Sequence, residues 1–217
     1  IQGKYGTYPD IWVSAGTYYG DTLSSEAFTM HEGVSVYGGF AGNEPVDYDL
    51  SLRDFAANAT ILDGQHSRRV VNQPNSFNTR TTLDGFTLRN GYTTESGGGA
   101  YLRHNTALSN CRFVNNESRS YGGGLYFYGS YDTIRYCSFE HNIAGSYGGG
   151  MYLYYANVIN SLIANNSCNY GGGGIYCSDG NTIANSTIVR NSTGDSGGGI
   201  YASGTTTMVN SVVWGNR

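Results

Sequence analysis

Apolar and polar residues alternate at a period of two through the last two thirds of the chain, as in Cys111-x-Phe113 and Ile200-x-Ala202, which is the spacing of a β-strand. No stretch offers the ten or more good helix formers that a helical repeat requires. The strands recur with a fixed period. The string GGGxY begins at Gly97, Gly122, Gly148, Gly172 and Gly197, at offsets of 25, 26, 24 and 25. Six residues ahead of each triplet stand Gly91, Asn116, Asn142, Asn166 and Asn191, and Asn216 continues the series. Three residues before those come Leu88, Phe113, Phe139, Ile163, Ile188 and Val213; five before, Phe86, Cys111, Cys137, Ser161, Ser186 and Ser211. Each unit reads as three short strands: around Leu108, from Cys111 to Val114, and around Gly123 to Tyr128.

A unit of this length, built of short strands, predicts one turn of chain per repeat. Stacked about 4.8 Å apart, such turns form a parallel β-helix in which every backbone group pairs with the coil above or below. The crossover rule makes it right-handed. The repeated Asn, with Gly91 in its place once, suits a left-handed backbone position, and its amides can bond from coil to coil. The Gly triplet allows a sharp corner. About five and a half regular coils are expected over residues 77–217. Residues 1–76 read as irregular first coils and a cap, with strands in Ile11 to Tyr18 and Val34 to Phe40 and a protruding loop at 41–59. Thr60 to Gly64 anticipates Thr82 to Gly85 at an offset of 22, and the whole reads as one continuous domain. Beyond Asn216 the last coil presents an open strand edge, where further coils, a cap or self-association are expected.

The GGGIY strings, with Phe113-Val114-Asn115-Asn116 and Phe139-Glu140-His141-Asn142, resemble the GGA[ILV] and FxxN repeats of polymorphic outer membrane proteins. The front segment is similar to the opening of bacterial right-handed β-helix repeat proteins. The resemblance implies a pectate-lyase-like solenoid and a secreted or surface-displayed passenger region on the outer-membrane exterior. It also implies an adhesive role and a C-terminal anchor or autotransporter barrel outside this segment.

Composition narrows the classes. With 33 Gly but 3 Pro and no G-X-Y period, collagen is excluded. A net charge of -4 and no basic stripe argue against nucleic acid. No apolar run approaches the roughly 18 residues of a membrane span. The four cysteines fall on inward positions beside Ser, Thr and Ala and read as buried thiols, without the spacing of a disulfide or zinc site.

The candidate chemistry is aromatic. Tyr101, Tyr126, Tyr152, Tyr176 and Tyr201 share one outward register, which Tyr128 and Tyr154 widen in two coils. They can stabilise the sheet by stacking or serve as a platform for sugar rings. Catalysis has weaker support. Asp63 and Asp84 are possible neighbours on successive coils, but each lies in a Leu-Asp-Gly bend that suits a turn. Lys4, the single lysine, is the one candidate lyase base of that type and lies near an end. Glu44, Asp47, Asp49 and Asp54 crowd the 41–59 loop without a calcium motif, and His31, His66, His104 and His141 are scattered. Asn116, Asn185 and Asn191 head Asn-x-Ser/Thr strings, but two of them belong to the turn ladder. No catalytic residue, metal or cofactor is assigned. The reading is a structural or adhesive module whose partner is a polysaccharide or a cell-surface protein. The alternatives are a carbohydrate-binding module and, behind it, a polysaccharide lyase or glycoside hydrolase.

Overall fold

A computed structural model describes residues 10–217, so Lys4 lies outside the described residues. Successive turns of the chain run parallel and pair along their whole length, in sheets of 13, 8 and 5 strands. The eight-stranded sheet takes one strand from each turn, which gives about eight coils of a parallel β-helix. One complete coil consists of Ala100–Leu102, Thr106–Ser109, Arg112–Val114 and Glu117–Ser118. Three of these follow the alternation in the sequence. The fourth, at two residues, is too short to leave one. In the next two coils the first pair fuses into Leu125–Arg135 and Met151–Ile159.

The corners correct one expectation. The left-handed residue is not the ladder Asn but the residue before it: Asn90, Asn115, His141, Asn165 and Arg190 have φ of 53 to 57°, and Gly215 has 65°. A second left-handed corner falls at Gly85, Asn110, Tyr136, Asn160, Asn185 and Asn210. Turning the backbone one position early aims the following side chain inward. Asn116, Asn142, Asn166 and Asn191 are consequently buried, which also removes Asn116 and Asn191 as glycan acceptors. The third corner is the Gly triplet. Gly122 adopts a φ of +64°, and a Cβ on Gly123 would lie 2.3 Å from the Ile143 carbonyl oxygen, so no other residue fits there.

The buried amides form a continuous chain. Asn142 Nδ2 donates to Asn166 Oδ1 in the next coil and to the Phe113 carbonyl in the previous one, both at 2.9 Å. Its Oδ1 accepts from Asn116 Nδ2 at 2.9 Å and from the Asn116 backbone N–H at 3.0 Å. The pattern repeats through Asn166 and Asn191 to Asn216 and begins at Gly91, whose N–H donates to Asn116 Oδ1 at 2.8 Å. A shorter serine ladder runs beside it: Cys137 N to Ser161 Oγ, Ser161 N to Ser186 Oγ and Ser186 N to Ser211 Oγ, at 3.3, 3.2 and 3.1 Å.

Between these ladders the interior is apolar. Leu88, Phe113, Phe139, Ile163 and Ile188 are fully buried in one column, and the Phe113 and Phe139 rings stack at 4.6 Å. Each such side chain contributes about 1.5–3 kcal/mol by leaving water. In the last coil Met208, Val212, Val213 and Trp214 are exposed.

The front coils depart from the expected register. Thr60–Asp63 pairs with Phe86–Arg89, while Leu83 pairs with Val36 and Leu108 in a different sheet. The two Leu-Asp-Gly strings therefore occupy different corners, and Asp63 and Asp84 are not register neighbours. The 41–59 loop is tied to the solenoid. The Arg53 side chain is buried and donates to the Gly38 carbonyl and to Asp84, both at 2.9 Å, with its guanidinium 5.0 Å from the Phe55 ring centre. Among the described residues no helix is long and apolar enough to cross a membrane.

The amide chain predicts a large and local cost of interruption. Asn142→Ala removes two donors and an acceptor and leaves buried partners unpaired, so it should destabilise by about 2–4 kcal/mol. Exposed Thr207→Ala should cost less than about 0.5 kcal/mol. The two urea midpoints should separate clearly; coincident midpoints would show that the ladder does not hold the coils.

Candidate functional site

Each GGGxY string turns a corner and enters a strand, and its tyrosine is the first outward position after the turn. Parallel pairing sets Tyr101, Tyr126, Tyr152, Tyr176 and Tyr201 directly over one another. Their rings lie face to face, with centres 4.8, 5.2, 4.5 and 5.3 Å apart and planes within 13° of parallel. The ring faces are thus engaged with each other, each pair adding about 0.5–1.5 kcal/mol beyond its buried area. Tyr152, at the centre, is only 8% exposed. What this column turns to solvent is ring edges and hydroxyls.

Two flanking columns complete the face. Tyr128 and Tyr154 pair in register with ring centres 5.1 Å apart, and Tyr154 shares a hydroxyl contact of 3.3 Å with Tyr152. On the other side Tyr121, Tyr147 and Tyr170 follow one another at 5.9 and 5.6 Å, and Tyr121 and Tyr147 also lean on Tyr152 and Tyr176. Sequence reasoning missed this last column because it followed the residue after each triplet. The signal was the tyrosine immediately before Gly122, Gly148 and the Gly171 run. Mostly tilted, with only Tyr121 and Tyr147 stacked at 28°, the flanks keep ring surface free: Tyr121, Tyr128 and Tyr170 are 37%, 39% and 53% exposed. At the Tyr101 end the column closes on two guanidinium groups, those of Arg103 and Arg69, at 4.8 and 5.5 Å from the ring centre.

The carboxylates are held in structural roles. Asp63 accepts from Arg89 Nε at 2.7 Å, from the Gln65 N–H at 2.9 Å and from Asn90 Nδ2 at 3.2 Å. Burial alone would raise its carboxyl, but these hydrogen bonds outweigh it and hold the group below its usual range. Asp84 accepts from Arg53, Ser109 Oγ and Asn110 Nδ2. In the loop, Glu44, Asp49 and Asp54 cap their own backbone turns through the N–H groups of Gly42, Ser51 and Ala56, while Asp47 is exposed. Among the described residues no three metal-binding side chains converge. A shallow groove of about 530 Å³ over another corner is lined by Arg112, Tyr136, Asn160 and Leu162.

All four cysteines are free and buried. Burial pushes the Cys137 and Cys177 thiols up to about 12 and raises Cys111 as well. Burial, reinforced by Tyr101 and Tyr154, also pushes the Tyr126 phenol up to about 12. In the unfolded chain these groups ionise near their ordinary values of 9.0 and 10.0, where the native state still holds its protons. The unfolded state then binds fewer protons, so stability falls as pH rises. The urea midpoint should be level from neutral pH to pH 9 and decline between pH 9 and 12. An aromatic disulfide reagent should label no cysteine in the native protein and all four in urea; fast native labelling would contradict the sealed core.

These ladders and corners agree with a comparison against protein families, in which residues 53–217 match the model described as right handed beta helix region. Searches of curated proteins and of solved structures returned no match. The matched segment covers most of the chain, and the protein belongs to the right-handed β-helix family.

Proposed function

We propose that this chain is a stiff adhesive module, secreted or displayed on the outer surface of a bacterial cell, and that it makes contact through its tyrosine face. The observation that carries the reading is the division of labour within that face. The central column braces the coils, while Tyr121, Tyr128 and Tyr170 leave phenol rings and hydroxyls free at its rim. Rings that are rigid, flat and polar at one edge suit the alternating C–H and O–H surfaces of sugars, so the partner is a polysaccharide.

Other features support the location. The Gly-triplet and FxxN strings resemble those of polymorphic outer membrane protein passengers, and four thiols sealed in the core survive an oxidising medium. Antibody against the module should stain intact source cells or their medium; staining only after permeabilisation would refute the surface reading.

The contact is tested by electrophoresis through gels cast with acidic and neutral polysaccharides. The protein should be retarded by at least one of them, and Tyr128→Ala combined with Tyr170→Ala should abolish the retardation without lowering the melting temperature by more than a few degrees. Retardation unchanged in the double variant would remove the face from consideration.

A further inference from the structure

We infer that Arg103, at the Tyr101 end of this face, is the seat for an oxyanion carried by the bound glycan: a carboxylate or a sulfate. The inference rests on the reading of the tyrosine face as a glycan contact and adds to it a residue and a ligand class.

Arg103 differs from the other arginines set into the fold, which either meet a carboxylate or, like buried Arg68, are taken up by neutral acceptors, the Asp21 carbonyl and Gln65 Oε1. Arg53 and Arg89 pair with Asp84 and Asp63. Arg69, which also lies over Tyr101, is neutralised by Glu26 at 3.0 Å and Glu95 at 3.4 Å, and it donates to the Ser96 and Gly97 carbonyls. Arg112 and Arg119 lie within 3.5 and 3.8 Å of Glu140 and Glu117. Arg103 forms no ion pair among the described residues, and its Nε is closed off from solvent without an acceptor. The guanidinium charge thus meets no carboxylate within the fold, and an incoming oxyanion would supply the missing counter-ion.

The position is also held ready. The backbone N–H of Arg103 donates to Gln73 Oε1 at 2.7 Å, and the fully buried Gln73 donates in turn to the His104 carbonyl at 3.1 Å. The Asn105 N–H is fixed by Asp132 Oδ2 at 2.9 Å, so the turn carrying Arg103 is clamped on both sides. The Tyr101 ring fixes the guanidinium from below, 4.8 Å away. Leu102 pairs with Phe127, which puts Arg103 one coil before Tyr128 in the same outward column. The residue that carries this planar fork, which takes a carboxylate or sulfate in bidentate fashion, therefore sits one coil before an exposed ring able to support the sugar. Next to it, the His104 ring lies 5.0 Å from Tyr128.

The test is calorimetric titration of the full chain with three probes: trigalacturonate, its fully methyl-esterified counterpart and a sulfated disaccharide prepared from heparin. One charged probe should bind at least about tenfold tighter than the neutral ester, and which of the two does so distinguishes carboxylate from sulfate. Arg103→Gln, which keeps much of the stem over Tyr101, should erase that preference and leave the neutral affinity unchanged. Arg112→Ala should leave the preference intact, and melting curves confirm that each variant is folded. Equal binding of neutral and charged probes, or a preference that survives Arg103→Gln, overturns the Arg103 seat while leaving the tyrosine contact standing. No binding of any probe by the unmodified protein overturns both.

Discussion

Coil-to-coil pairing is the interaction on which the rest of this protein depends, and the buried asparagine chain is where that pairing is most demanding. Backbone hydrogen bonds alone would let one turn slide past another by two residues without exposing the core. An amide that must meet the carbonyl behind it and the amide ahead of it does not permit the slide. Once Asn116, Asn142, Asn166 and Asn191 are aligned, the other columns follow: Phe over Phe, Ser over Ser, Tyr over Tyr. The tyrosine face is thus a by-product of register fixed on the far side of a corner.

The same constraint explains what could be read from the sequence. Columns repeat because stacking repeats, so the coil length, the inward positions and the central tyrosines were all visible as a period near 25. The left-handed corner was misplaced by one residue because Asn is favoured both at such a corner and as a buried amide, and here both occur side by side at Asn115-Asn116 and Asn165-Asn166. At Arg190 the corner is held by a residue with no preference for it, and composition gave no sign of it. The two Leu-Asp-Gly strings misled for a related reason. Local likeness reports a turn type, whereas register is a property of pairs.

The site was legible only in part. Tyr101 to Tyr201 announced themselves by period, but whether their faces point to water or to one another is decided by the spacing between coils, which a single strand does not encode. Nor does sequence reveal which arginines meet a carboxylate. Arg69 and Arg103 look alike in the chain, and only the long-range placement of Glu26 and Glu95 beside Arg69 separates them.

The asparagine chain carries a consequence for how such a molecule can change over time. Each amide meets the same three kinds of partner, whichever coil it occupies: the amide of the next turn, the backbone N–H of the previous turn and a carbonyl of that turn. A coil inserted between Asn142 and Asn166, or removed from there, would leave its neighbours facing an unaltered environment. Along this ladder reach is therefore set by unit number, and a lineage can lengthen or shorten the rod by recombination between its own repeats without redesigning the amide chain.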